Sequence, residues 1–195
     1  GFGGFGSSAL CHLARRRVNV LGIDQFGVAH DRGSSHGETR IIRKAYFEHP
    51  DYVPLLIRAY ELWRELEDAT EESLYSESGL FLAGPPDGET ITGALESARL
   101  HGVTVDELEL LDARDRFPLF TFDDSDAVVF EPEAGYLRVE ACVAAHINQA
   151  IASGAGIATD ETVQSWSIDG RTVRVVTDRQ TYETSKLVIA VGAWS

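Results

Sequence analysis

The chain has 195 residues, enough for one domain or two small interleaved ones, and its 44% apolar content points to a packed core rather than disorder. A formal net charge of −14 disfavours a nucleic-acid binder, which needs a basic face, and equally disfavours docking on an anionic membrane. No apolar run of about 18 residues and no secretory signal pattern occurs, and Cys11 and Cys142 lack metal-ligand spacing; a cytoplasmic protein with buried, reduced thiols and no bound metal is expected.

The chain opens on Gly1-x-Gly3-x-x-Gly6. Gly1 to Gly6 reads as a loop and Ser7 to Arg16 as a helix with Leu10, Leu13 and Ala14 on one face. Val18 to Asp24 reads as a buried parallel strand ending in an acid. Loop, helix and strand make most of a βαβ unit. With its first strand lacking and no Met in the chain, the sequence is expected to be a piece of a longer protein. Glycines let such a loop turn tightly and let a dinucleotide pyrophosphate approach the backbone, while the helix start offers free N–H groups and a positive dipole end. Asp24 stands where an acid accepts hydrogen bonds from ribose hydroxyls. Two residues depart from the usual pattern. Phe2 is bulky where a small residue is common, and Arg17 stands where a glycine often ends the helix.

Residues 26–43 are rich in Gly, Ser, His and Arg and read as a functional loop. Asp51 as cap and Pro54 in the first turn start a helix to about Glu67, with Tyr52, Leu56, Ala59, Tyr60, Trp63 and Leu66 at helical spacing, so Trp63 is expected in the core. Gly79 to Ala83 reads as a strand, Glu89 to His101 as a helix, Asp106 to Arg116 as a short helix and Val128 to Phe130 as a short strand. Val139 to Ile151 reads as a helix ended by Gly154 and Gly156, with Val139, Cys142, Val143, His146, Ile147 and Ala150 on one stripe. His146 is expected to be a satisfied core histidine. A hairpin follows, Thr162 to Ile168 and Thr172 to Thr177 about Asp169-Gly170, extended by Thr181 to Thr184. Lys186 to Val191 reads as a further apolar strand. The stop at Ser195, without cap or turn, is expected to be a second truncation.

The stretch Ser34-Ser35-His36-Gly37-Glu38-Thr39-Arg40-Ile41-Ile42-Arg43 is the most informative. The run Gln25 to Glu67 that contains it is similar to the FAD-dependent monomeric sarcosine oxidase and N-methyltryptophan oxidase family, and SSHGETRIIR resembles its signature. The tail Lys186 to Ser195 (KLVIAVGAWS) resembles the strand with which these proteins re-enter their FAD domain. The resemblance extends over essentially the whole chain. It implies an α/β fold of the glutathione-reductase-like class: a Rossmann-like FAD-binding domain at 1–75 and 131–195, and the beginning of a mixed-sheet substrate domain at 76–130. It implies FAD as cofactor and a monomer whose partners are a small secondary amine, such as sarcosine or N-methyltryptophan, and oxygen, which is reduced to hydrogen peroxide. It sets His36 and Arg40 beside the isoalloxazine ring and Arg43 on the substrate carboxylate. It assigns Gly1, Gly3, Gly6, Asp24, Ser34, Ser35, Thr39, Val163 and Gly192 to the cofactor. In this family FAD is attached to a cysteine of the C-terminal half. Neither Cys11 nor Cys142 occupies that motif, and the lysine thought to activate oxygen also belongs to that half, so this segment alone is expected to be a poor oxidase.

Elementary chemistry supports these roles independently. A cation near the flavin N1–C2=O edge stabilises an anionic reduced ring, and a guanidinium matches a carboxylate in two parallel hydrogen bonds. The bland alternatives are surface salt bridging for Arg40 and Arg43 and simple solvation for His36. Competing functions are a flavoprotein dehydrogenase, an oxidase of another amine, or a non-catalytic nucleotide-binding module. A nicotinamide dehydrogenase would leave SSHGETRIIR without a role.

Overall fold

The first helix begins earlier than its apolar pattern suggests. In the computed structural model, which describes residues 1–194, α1 is Gly4–Arg15 with Gly3 as N-cap, not Ser7 to Arg16. Gly6 therefore lies inside the first helical turn. Ser7 N–H donates to Gly3 O at 2.9 Å as the helix begins, and glycine at this point costs only backbone entropy. Arg17 takes the left-handed backbone (φ 59°) that a glycine would take more cheaply.

Gly1–Thr39 and Arg138–Ser195 form one compact unit, and Arg40–Leu137 forms another. In the first, β1 (Leu21–Ile23) pairs in parallel with β8 (Gly156–Ala158), and Asp24 follows directly. α1 packs on α5 (Val139–Ala152); Phe2, Leu10, Cys11 and Ala14 interlock with Ile147 and Ala150. Phe2 fits because β1 offers Gly22 beneath it: a Cβ on Gly22 would lie 2.4 Å from the Phe2 ring. An antiparallel sheet, ordered β11 (Thr181–Thr184), β10 (Thr172–Thr177), β9 (Val163–Asp169), carries the expected hairpin, and Gly170 (φ 59°) supplies its turn. The expected strand Lys186 to Val191 is not formed: among the described residues it joins no ladder. It runs instead beside the glycine loop, where a Cβ on Gly1 would sit 2.5 Å from Ala190 O. Gly192–Trp194 is a short 3-10 turn; Ser195, part of the tail resemblance, lies outside the described residues.

In the second unit, β2 (Thr39–Ile42), β3 (Tyr75–Ser76) and β7 (Gly135–Arg138) form a sheet in the order β2-β7-β3. β4 (Leu80–Gly84), β5 (Asp106–Leu108) and β6 (Ala127–Glu131) form another in the order β4-β6-β5, antiparallel throughout. The helices are α2 (Val53–Thr70), α3 (Glu89–His101) and α4 (Leu110–Arg116). Three expectations change. Residues 39–42 of the expected loop pair as β2, burying Ile42 while Ile41 stays exposed. Asp106 to Arg116 is a strand and then a helix. Asp51 caps nothing: it lies in a 3-10 turn (Pro50–Tyr52) whose N-cap, His49, accepts from the Asp51 N–H at 3.2 Å. Trp63 packs on the Ile42, Tyr60 and Tyr75 cluster, as its helical spacing implies. Compactness groups 40–75 with 76–137, whereas the expected division 1–75, 76–130 and 131–195 is one of cofactor and substrate roles.

His146 is buried on α5, with Nδ1 3.0 Å from Cys142 O and the His12 ring 6.4 Å away. Burial above all, with His12 adding to it, pushes its pKa from 6.5 down to about 4, against the pull of the Cys142 carbonyl. The folded state therefore favours neutral imidazole. The associated stability is complete above pH 6.5 and is lost as pH falls toward about 4, where the loss amounts to on the order of 3 kcal/mol. Urea unfolding of the full-length protein should show this slope, and His146→Asn should flatten it; an unchanged slope in the variant would assign the acid sensitivity elsewhere.

Candidate functional site

The glycines of the opening loop have separable reasons. A Cβ on Gly6 would lie 1.7 Å from Gly1 O, so the turn itself forbids a side chain there. A Cβ on Gly3 would meet the Ser35 side chain, with Oγ at 3.3 Å, so that position keeps the mouth of the helix open. The first turn of α1 contains no acid, and Gly4 and Phe5 are exposed. The helix start thus presents a positive dipole end and accessible backbone, which suits a pyrophosphate. The Gly4 N–H donates to Ser35 Oγ at 2.9 Å, bringing the second constellation to the first.

Asp24 is 6% exposed. Its Oδ2 accepts from Phe2 N–H at 2.5 Å, its Oδ1 accepts from Phe26 N–H at 2.9 Å, and His30 Nε2 lies 3.5 Å from Oδ1. The acid expected to meet a ribose therefore also staples the glycine loop to the end of β1. A carboxylate has about four lone-pair directions, so acceptor capacity remains. The acid-free helix start, the glycine turn and this carboxylate together fit the dinucleotide portion of FAD.

The loop carrying Ser34, Ser35, His36 and Thr39 is held from α5. Gly37 N–H donates to Glu140 Oε1 at 2.7 Å, and Glu38 N–H donates to both Glu140 oxygens at 3.2 Å. In return Val139 N–H donates to Glu38 O at 3.0 Å. Thr39 N–H closes a tight turn on Gly37 O at 2.7 Å. His36 and Ser35 are partly buried and Ser34 is exposed. Nothing in the sequence singled out Glu140, although an acid in the first turn of a helix is a usable signal for an N–H acceptor. Val163 opens β9 half-exposed beside Thr162, whose N–H donates to Asp178 Oδ1 at 2.9 Å; Gly192 (φ 58°) opens the last turn.

The two arginines belong to the second unit. Arg40 is exposed on β2. Arg43 follows that strand with its side chain 19% exposed, its guanidinium 4.7 Å from the Tyr46 ring and 4.8 Å from the Phe47 ring. Its Nη2 donates to both Glu48 oxygens at 3.0 Å, while its buried Nε has no hydrogen-bond partner among the described residues. The backbone just beyond is clamped by Glu131, which is 4% exposed and accepts from Lys44 N–H at 2.7 Å and Ala45 N–H at 2.9 Å. Burial pushes the Glu131 carboxyl above the ordinary value, against those two donors and the nearby Lys44 and Arg43 charges. Sequence reasoning missed Glu131. Glu131→Gln turns one oxygen into a donor facing an N–H, so thermal unfolding of the full-length protein should register a loss of about 1–3 kcal/mol; an unaltered midpoint would mean the clamp is dispensable.

Among the described residues no helix is long and apolar enough to cross a membrane, and no cluster of His, Cys, Asp and Glu could hold a metal. The chain is 42% identical over 195 residues to the monomeric sarcosine oxidase of Streptomyces avermitilis, covering all of this chain and 51% of that protein. It is 37% identical over 194 residues to the N-methyl-L-tryptophan oxidase of Yersinia pestis, again covering all of this chain and 52% of that protein. Among solved structures, NikD, an unusual amino acid oxidase essential for nikkomycin biosynthesis, superposes with a TM-score of 0.89 at 29% identity, covering 100% of this chain and 50% of that one. L-proline dehydrogenase of P. horikoshii shares the fold, with a TM-score of 0.85 at 23% identity. The chain spans about half the length of the curated relatives it matches. The glycine loop, the buried acid after β1 and the hooked SSHGETRIIR segment sit in an α/β fold that one family description matches from residue 1 to residue 195, and the chain belongs to that family, the FAD dependent oxidoreductases.

Proposed function

We propose that the protein to which this chain belongs is an FAD-dependent oxidase of secondary amines, with N-methyl amino acids such as sarcosine or N-methyltryptophan as substrates. The observation that carries the reading is the hydrogen bond from Gly4 N–H to Ser35 Oγ: it ties the segment most like the oxidase signature to the dinucleotide loop. The relatives named sarcosine oxidase and N-methyltryptophan oxidase, matched along all of this chain, support it. Bound FAD would accept a hydride equivalent from the carbon next to nitrogen and pass the electrons to oxygen, giving hydrogen peroxide.

The chain's own residues have distinct tasks in this proposal. Gly3, Gly6 and the start of α1 bind the pyrophosphate, and Asp24 orients the ribose. Ser34, Ser35 and Thr39 line the path toward the ring, and the backbone at Val163 and Gly192 contacts other parts of the cofactor. His36 and Arg40 stand beside the isoalloxazine ring, and Arg40 contributes positive charge where the reduced form gains negative charge. Arg43 receives the substrate carboxylate, for which a planar guanidinium with several N–H donors is suited. Residues 1–75 and 131–195 serve the cofactor and 76–130 the substrate side. The protein is proposed to be cytoplasmic and to work as a monomer with only small-molecule partners.

The test is an absorbance spectrum of the full-length protein, followed by anaerobic addition of sarcosine or N-methyltryptophan. Bleaching of a flavin spectrum, with recovery and stoichiometric peroxide on admitting air, is the expected result. A flavin spectrum untouched by either amine would move the substrate elsewhere. Recovery only with an artificial acceptor would favour a dehydrogenase, and absence of flavin would overturn the proposal.

A further inference from the structure

Gly37 and Glu38 are consecutive residues with left-handed backbones, φ 94° and φ 67°. Glycine adopts this region freely; glutamate does so at a cost that surrounding contacts must offset. The conformation turns both N–H groups toward one point, forming a small concavity of the kind that binds anions. Glu140 fills it: three donor–acceptor contacts of 2.7 to 3.2 Å converge on one carboxylate. Glu140 lies in the first turn of α5, and α5 is anchored on α1 through Ile147 and Ala150. Partial desolvation pushes the Glu140 carboxyl up. Backbone N–H donors, its own and those of Glu38 and Gly37, together with nearby His36, more than offset this and bring it below the ordinary value. His36 directly precedes the concavity, and Ser35, one residue earlier, is hooked to the start of α1.

We infer that Glu140 is the positioning residue for His36: its carboxylate holds the Gly37 and Glu38 amides, fixing the strained turn and hence the direction from which the imidazole leaves the backbone. Ser35 fixes the other side of the same residue. His36 is thus suspended between two anchors on α1 and α5, the helices that pack together beneath the glycine loop. The inference rests on the function proposed above, for His36 acts on the flavin only if that reading holds.

The experiment compares full-length wild type with Glu140→Ala and Glu140→Gln by two readouts. The first is hydrogen exchange of the peptide covering residues 34–39. Losing charge-assisted bonds should speed exchange at Gly37 and Glu38 at least about 10-fold in Glu140→Ala and less in Glu140→Gln, while the body of α5 is unchanged. The second is the anaerobic rate of flavin bleaching by N-methyl amino acid, with flavin content measured beside it. That rate should fall about 10-fold, with flavin content and KM retained and partial rescue in Glu140→Gln. Unchanged exchange would overturn the inference, and faster exchange with an unchanged bleaching rate would overturn the role toward His36. If wild type itself fails to bleach, the proposed function fails and with it the role toward the flavin, while the exchange comparison still decides whether Glu140 holds the loop.

Discussion

Gly6→Ala should abolish flavin binding in the full-length protein. The added Cβ would fall 1.7 Å from Gly1 O, a backbone atom that no side-chain rotation can move aside. Relief requires displacing either the loop or the start of α1. Both carry the proposed pyrophosphate site, and Phe2, between them, is fixed in the core. We expect the flavin-to-protein ratio to fall at least about 10-fold and stability to drop by about 3 kcal/mol, at the upper end of overpacking effects. Gly27→Ala is the matched control, since a Cβ there meets nothing within 4 Å. Equal flavin content in the two variants would show that the loop does not form the cofactor site.

Arg43→Gln should raise KM for an N-methyl amino acid by about 10²- to 10⁴-fold, the loss of two charge-assisted hydrogen bonds. The effect should vanish for a substrate analogue whose carboxylate is replaced by an amide. Arg43 already donates to Glu48, so an incoming carboxylate competes with an internal one. Glu48→Gln should accordingly change KM in the opposite direction, and by less, because the Tyr46 and Phe47 rings still hold the guanidinium. Equal losses for acid and amide substrates in Arg43→Gln would make Arg43 a structural residue and return it to the salt-bridge reading.

Local chemistry made much of this legible in advance. α3 lies on the residues its pattern predicts, and the stripe of α5 is buried as spacing implies, because period and capping are written in a short window. Glycine spacing and the acid after β1 marked the candidate cofactor end for the same reason. What escaped depends on partners distant in sequence. β2 looked like loop because its pairing partner, β7, lies about a hundred residues away. Lys186 to Val191 looked like strand because apolar content says nothing of whether a ladder exists to join. Glu131 and Glu140 are ordinary acids in a chain rich in them; only the folded backbone, which brings Lys44, Ala45, Gly37 and Glu38 to them, distinguishes either one.

The seating of Phe2 over Gly22 binds the evolutionary histories of these two positions together. Shrinking the ring alone leaves a hole in the core, and enlarging Gly22 alone drives a methyl into the ring, so each single step is disfavoured. Made jointly, Phe2→Ala with Gly22→Ala exchanges volume across the contact, and the pair should cost less than the sum of its parts. Lineages with a small residue in the glycine loop should then carry a larger one in β1, and passage between the two states should require a compensating partner already in place.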